Sequence, residues 1–273
     1  MTPPHIDRCE PQMKIGIIGL GHVGRAMQGL FARFADLTSY DLQIHSTYPQ
    51  DDLAKCEFSV VCVDTPMRED GSCNVDNVRA AVTQLPTPRV LLKSTVPPGF
   101  TDALTAETGK EICYSPEYFG ESNYWSTFVA AGPAGLPFVI LGGRPEHRRP
   151  MLDDLSTMLG PEKVYFQCTS VEAELIKYME NSYLAAKVTF VNQFFELCET
   201  FNADWHTVRE GWLLDPRIER SHSEVFRGER GFGGRCLPKD VNAIVAAAEN
   251  VGYDPHFLRS VLKANSRFRG DLD

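Results

Sequence analysis

The stretch that most limits the folds open to this chain is Lys14-Ile15-Gly16-Ile17-Ile18, which runs straight into Gly19-Leu20-Gly21-His22-Val23-Gly24. A short apolar run ends in three glycines spaced GxGxxG, and a helical pattern follows. In that order the first glycine permits a tight turn and the second lets backbone amides approach a pyrophosphate. The third lets the helix pack closely on the strand, and the helix N-terminus favours negative charge. His22 offers its backbone amide to such a cradle, and Val23 stands beside it. Asp41 closes the next strand candidate, 20 residues past Gly21, where a carboxylate accepts hydrogen bonds from ribose hydroxyls. No Arg or Lys occurs in the ten residues after Asp41, which favours NAD over NADP. Taken alone, the same pattern also fits a glycine turn without a ligand.

Seven strand candidates punctuate the first part of the chain, at 14–19, 37–41, 58–64, 89–95, 111–115, 138–143 and 163–168. They are continuous apolar runs rather than alternating ones, the pattern of strands buried on both faces of a parallel sheet. The expected fold class is therefore α/β: a Rossmann-type doubly wound parallel sheet over 13–168, behind a loose tail at 1–12. The pattern changes after Cys168. Residues 171–200 contain neither Gly nor Pro and carry apolar residues three and four apart. They predict one helix of roughly 45 Å, with Thr169 or Ser170 as its cap. Shorter helices near 204–213, 240–251 and 255–268 complete an all-helical unit over 169–273. The aromatics Tyr183, Phe190, Phe194, Phe195 and Phe201 serve either an intrachain core or a seam between two copies.

Composition narrows the partners. Against 27 Lys+Arg stand 36 Asp+Glu, a net charge of −9, with no run of five or six like charges. That speaks against a general nucleic-acid or anionic-membrane partner. There is no 18-residue apolar run and no apolar stretch of the signal-peptide kind at the start. Eight cysteines show no CxxC spacing, the usage of a reduced, cytoplasmic protein with neither a disulfide scaffold nor a metal site.

Further segments carry a resemblance. VCVDTPMREDGSCNV (61–75), KSTVPPGFTD (93–102) and SPEYFGES (115–122) are similar to the VGTP, STVPPGT and PEFLRE segments of the nucleotide-sugar dehydrogenases, the UDP-glucose and GDP-mannose 6-dehydrogenases. AELIKYMENSYLAAKVTFVNQFFELCE (173–199) resembles that family's central helix, and GFGGRCLPKD (231–240) its GFGGSCFPKD. The matches run in the family's order from residue 13 to about 268.

The resemblance implies a set of roles. Cys236 corresponds to the nucleophile, Lys177 and Asn181 to the groups that reach the reacting oxygen, and Asp240 to an acid/base or water-ordering carboxylate. Thr95 corresponds to a threonine near nicotinamide and water. Glu117 and Glu121 match paired glutamates, one near the substrate and one near the cofactor. Thr65 matches a cofactor-packing turn, and Lys239 a lysine near the cofactor. Tyr118, Phe119, Gly120, Lys177, Phe232 and Gly233 match substrate-binding positions. The implied activity is a four-electron, NAD-dependent oxidation of a primary alcohol to a carboxylate, in a homodimer joined through the helical unit.

The physics of these residues leaves alternatives beside that reading. Lys239 and a helix starting at Asp240 would lower the Cys236 pKa, while Asp240 itself opposes that shift. Lys177 and Asn181, four apart, share one helix face; alone, such a pair is commonly a solvated face. Asp240 also suits a helix N-cap. The loop glycines are expected to let the backbone lie against a substrate.

Departures from the pattern are Gly120 for arginine, Arg235 for serine, Asp64 for glycine, and LPFVILGG (136–143) without the family's arginine. The chain also stops where the family continues into a further nucleotide-binding domain. It reads as a fragment, as a short member working with another polypeptide, or as an enzyme for a smaller alcohol. Two rival functions remain open. One is a β-hydroxyacid dehydrogenase, which needs one hydride transfer and no cysteine. The other is an NAD-binding regulatory or scaffold protein without catalysis.

Overall fold

A computed structural model describes residues 13–118, 124 and 132–270. Phe119, Gly120 and Glu121, three of the expected site residues, lie outside the described residues.

The sheet-forming part runs β1 (Lys14–Ile18), α1 (His22–Phe31), β2 (Asp36–Tyr40), α2 (Gln50–Leu53), β3 (Phe58–Val61), α3 (Asp76–Gln84), β4 (Arg89–Leu92) and α4 (Phe100–Thr108). It continues through β5 (Glu111–Tyr114), α5 (Gly132–Gly135), β6 (Phe138–Gly142), α6 (Pro145–Leu159) and β7 (Val164–Cys168). Each strand candidate forms a strand, in one sheet ordered β2-β1-β3-β4-β5-β6-β7. The chain order reverses at β1, so the crevice between the ends of β1 and β3 is the topological switch point of an open α/β sheet.

Val60 packs into the core on one side of the sheet and Val61 into the core on the other. Successive strand residues face opposite sides, so burial on both sides produces the unbroken apolar runs. Two expectations need correction. The sheet is not wholly parallel, because β6 pairs antiparallel with β5 through Tyr114 and Gly142 while β7 runs parallel to β6. An apolar run reports burial and carries no direction. Nor is β7 covered on both faces: Val164 is 64% and Phe166 51% exposed at this sheet edge.

The helical part comprises α7 (Ser170–Thr200), α8 (Trp205–Trp212), α9 (Leu237–Asn250) and α10 (His256–Arg269). Thr169, rather than Ser170, caps α7 in a reciprocal capping box with Glu172. The helix expected from 240 starts at Leu237, because Pro238 fits a first turn where its missing N–H costs no bond. Cys236 is thereby the N-cap, and Asp240 lies inside the helix rather than capping it.

A buried joint binds α7 to the sheet part. Glu174, fully buried, accepts the backbone amides of Gly99 (2.6 Å) and Thr101 (2.9 Å) at the start of α4. One turn earlier, Ser170 donates to Asp102 at 2.8 Å. Of the five aromatics expected in a core or a seam, Phe195 is core, packed with Val191, Cys198 and Trp205, and Tyr178 of the same helix is buried with Cys73 and Ala243. Tyr183, Phe190, Phe194 and Phe201 are exposed, together with Leu175, Met179 and Leu197. Among the described residues, no helix is long and apolar enough to cross a membrane.

Candidate active site

The glycine motif forms an open cradle at the switch point. Gly19 has φ +86°, and a Cβ there would stand 2.9 Å from the Cys62 backbone. A Cβ on Gly24 would come to 1.8 Å from the Gly19 carbonyl oxygen, so the α1 helix packs on the turn only with glycine at that position. At Gly21 a Cβ would meet nothing within 4 Å, which leaves that side open. The N-terminus of α1 has no capping side chain and no acidic residue in its first turn. The first-turn amides of a helix have no intrahelical acceptor, and its positive dipole end fits a pyrophosphate. His22 is exposed as the first residue of α1, and half-buried Val23 packs against the core.

Asp41 braces this cradle, accepting the Leu20 amide at 2.7 Å and the Gln43 amide at 2.8 Å. Each carboxylate oxygen keeps further lone-pair capacity for a ribose. Asp64, one of the departures, accepts the Asn77 side-chain amide at 2.9 Å. Thr65 is buried and Thr95 half-buried. The Thr95 carbonyl accepts the Cys73 thiol at 3.6 Å. Cys73 packs in a core cluster with Tyr178 of α7 and Ala243 of α9, which connects the Thr95 loop to α9.

The second cluster gathers around α7 and the start of α9. Lys177 and Asn181 are 8% and 5% exposed, which rules out a solvated helix face. The Lys177 ammonium donates to the Glu117 carbonyl and lies 5.5 Å from the centre of the Tyr118 ring. Tyr118 in turn packs edge-on against Phe138. Asn181 donates to Asp240 at 2.5 Å. The other Asp240 oxygen pairs with Lys239, and the Asp240 amide donates to the Cys236 carbonyl at 2.9 Å.

Cys236 is exposed as a residue, but the protein around its sulfur is dense enough that burial pushes the thiol above its ordinary value. Asp240 adds to that rise, with a smaller push from Glu117, while Lys177 and Lys239 oppose it. The lowering expected from the adjacent lysine is therefore outweighed by desolvation. Cys236 nonetheless stands at the N-terminus of a helix whose first turn carries the Lys239–Asp240 ion pair.

Some residues of this cluster were not singled out from the sequence. Lys93, inside the quoted KST segment, is buried and donates to Ser115 (3.3 Å) and the Pro116 carbonyl (3.0 Å). Burial lowers its pKa, with Glu117 opposing. Glu180, three residues after Lys177, is pushed up to about 7 by burial, against the pull of Lys177. Glu174 precedes Lys177 by the same spacing, and 174, 177 and 181 recur at the helical period that could have revealed it.

Two expected substrate contacts look elsewhere. The Phe232 ring is fully buried among Ala185, Val188, Leu237, Val241 and Val261. Its phenyl edge belongs to the core of the helical part, a fate that local sequence does not distinguish from a ligand contact. Gly233 lies under the Arg269 guanidinium, where a Cβ would come to 2.6 Å from a nitrogen.

A sheet with an open glycine cradle at its switch point, joined to a helical unit bearing a thiol, two ammonium groups and a buried amide–carboxylate pair, has the architecture of the two-unit dehydrogenase folds. Residues 171–267 match the central domain of the UDP-glucose/GDP-mannose dehydrogenase family. Over 229 residues the chain is 31% identical to a UDP-glucose 6-dehydrogenase of Bacillus subtilis, covering 78% of this chain and 49% of the relative. A UDP-glucose dehydrogenase structure from Pyrobaculum islandicum superimposes with TM-score 0.80 at 25% identity, over 97% of this chain and 70% of that one. A 3-hydroxyisobutyrate dehydrogenase of Mycobacterium tuberculosis shares the fold, with TM-score 0.69 at 14% identity over 96% of this chain and 95% of that one. In residues 171–267 the chain carries the central domain of the UDP-glucose/GDP-mannose dehydrogenase family, and its similarity to UDP-glucose 6-dehydrogenases extends over 78% of its length. It spans about half the length of the curated relatives it matches.

Proposed function

We propose that this chain takes part in NAD-dependent oxidation of a primary alcohol, C6 of a nucleotide sugar such as UDP-glucose or GDP-mannose, to the carboxylate. The observation that carries this reading is the buried cluster of Lys177, Asn181 and Asp240, with Asn181 and Lys239 both holding Asp240 in the first turn of the helix that Cys236 caps. Residues 13–168 act as the cofactor-binding half, with Gly19–Gly24 and Asp41 holding the pyrophosphate and ribose. Residues 169–273 supply the reacting side chains.

Two NAD molecules, bound one after the other, would supply the hydride acceptors, one for each oxidation. In the first, the alcohol gives up a hydride and a proton and becomes an aldehyde, with the Lys177 ammonium and Asn181 amide beside the oxygen as charge develops. The Cys236 sulfur then adds to the aldehyde carbon, its proton passing to the site's carboxylates and water, and the oxygen becomes a hydroxyl. That thiohemiacetal is the second hydride donor, and loss of hydride and the hydroxyl proton leaves a thioester. Water ordered by Glu117, Thr95 and Asp240 attacks the carbonyl carbon, releases the acid and restores the thiol. Covalent capture retains an aldehyde that would otherwise escape. Burial and the Asp240 charge disfavour the Cys236 thiolate, so loss of the thiol proton is a step of the proposed cycle.

The same reading includes a homodimer through the helical unit. Leu175, Met179, Tyr183, Phe190, Phe194, Leu197 and Phe201 form an exposed stripe at three-, four- and seven-residue intervals along α7. The reducing cytoplasm would keep the Cys236 thiol available.

A screen of UDP- and GDP-sugars, counting NADH and trapping any thioester, tests the activity. Two NADH per molecule of acid are expected. One NADH with a carbonyl product indicates single-step chemistry of the hydroxyacid-dehydrogenase kind, and tight NAD binding with no turnover indicates a binding protein.

A further inference from the structure

The loop carrying Cys236 is gripped from α10, and the grip accounts for a glycine expected to let the backbone approach a substrate. Asn265 accepts the Phe232 backbone N–H at 2.6 Å and donates its side-chain amide to the Phe232 carbonyl at 2.9 Å. Both atoms of one peptide-bearing residue are thus satisfied by one primary amide, buried to 6% exposure. A Cβ on Gly231 would stand 2.4 Å from the Asn265 Oδ1, and Gly231 has φ +72°. One turn further along α10, Arg269 covers Gly233. Gly231 is therefore bare because Asn265 of α10 presses on it, while Gly233 lies against the guanidinium end of Arg269. Asn192 on α7 completes the grip, its Oδ1 accepting from the Gly231 amide (3.1 Å) and the Arg230 guanidinium (2.6 Å).

We infer that Asn265 is a positioning residue for the Cys236 thiol: its amide fixes the root of the loop whose other end is the first turn of α9. Between those fixed ends lie only Gly233, Gly234 and Arg235, so the direction of the sulfur follows from the two anchors. No other side chain of this size serves. A carboxylate has no donor for the Phe232 carbonyl, and an apolar residue leaves both backbone groups buried and unpaired, which is costly. Phe232 pins the same point from the opposite side, its ring in the helical core. The inference rests on the proposed role of Cys236, but its test does not require turnover.

The test uses the full chain with Asn265→Ala and with Asn265→Asp, the latter equal in size and retaining the bond to the Phe232 N–H. The rate of iodoacetamide modification at the peptide containing Cys236 is followed against pH, beside NADH binding, kcat and KM. The other described cysteines are buried or half-buried, so this thiol is the accessible one among them. In folded variants, alkylation at Cys236 should change by about tenfold with a displaced pH midpoint, NADH affinity staying within about twofold and kcat falling more than KM rises. A folded Asn265→Asp protein with the wild-type alkylation rate and midpoint overturns the inference, whatever becomes of the Ala variant. If the wild type turns over no nucleotide sugar while the variants still displace the alkylation profile, the proposed function fails and the positioning role stands.

Discussion

Asn181 on α7 and Asp240 on α9 share a hydrogen bond of 2.5 Å, with Asp240 only 1% exposed. This bond and the ion pair from Lys239 hold the carboxylate under the first turn of the helix that begins beside Cys236. Asn181→Ala should cost about 1–3 kcal/mol in urea unfolding and lower kcat by at least about tenfold. A double-mutant cycle with Asp240→Ala should show coupling above about 0.5 kcal/mol. Strict additivity would mean that the pair does not act as a unit.

The two glycines of the cradle should separate folding from cofactor binding. Gly24→Ala drives a Cβ into the Gly19 carbonyl and should lower both thermal stability and NADH affinity, the former by about 1–3 kcal/mol. Gly21→Ala meets no protein atom within 4 Å. It should leave stability within about 0.5 kcal/mol and still weaken NADH by about tenfold or more, since the methyl enters the space meant for the pyrophosphate. Equal NADH affinity in wild type and Gly21→Ala would remove the dinucleotide from this cradle.

Glu174 sets a pH dependence of stability. Burial raises its pKa from 4.5 to about 7, against the pull of the Thr101 and Gly99 bonds. The folded state keeps a proton that the unfolded chain releases near 4.5, so the contribution is fully present below that pH and is lost as pH rises through about 7. Unfolding free energy should decline across this window, by roughly 1–3 kcal/mol from this residue. Glu180 adds to the decline. Glu174→Gln should flatten the slope, measured by urea unfolding at a series of pH values; an unchanged slope would contradict the assignment.

The exposed stripe on α7 predicts self-association. Sedimentation at micromolar concentration should give a dimer, and Phe190→Glu with Tyr183→Asp should give a monomer with the fold retained. A wild-type monomer would leave the stripe without this role.

The cradle was legible in the sequence because each of its glycines answers to a local constraint: a turn, an open side and a helix–strand contact. Lys177 and Asn181 were legible through their spacing on one helix. Tertiary relations were not. Nothing local to residues 231–234 tells that Asn265 and Arg269, more than thirty residues on, occupy the space beside the glycines. The Cys236 thiol likewise has a cation nearby in sequence, but the burial that outweighs it comes from packing of separate elements. The direction of β6 depended on a pairing that an apolar run does not encode. Lys93 sat in plain view inside a motif, yet only its burial against Ser115 and Pro116 distinguishes it from a surface lysine.

The central claim is that the Cys236 sulfur carries the substrate between two oxidations. Product analysis of Cys236→Ala with a nucleotide sugar that the wild type oxidises tests it most directly. The variant should still bind NADH but form no acid, while the wild type forms acid with two NADH. Full conversion to acid by the Cys236→Ala protein would contradict the account.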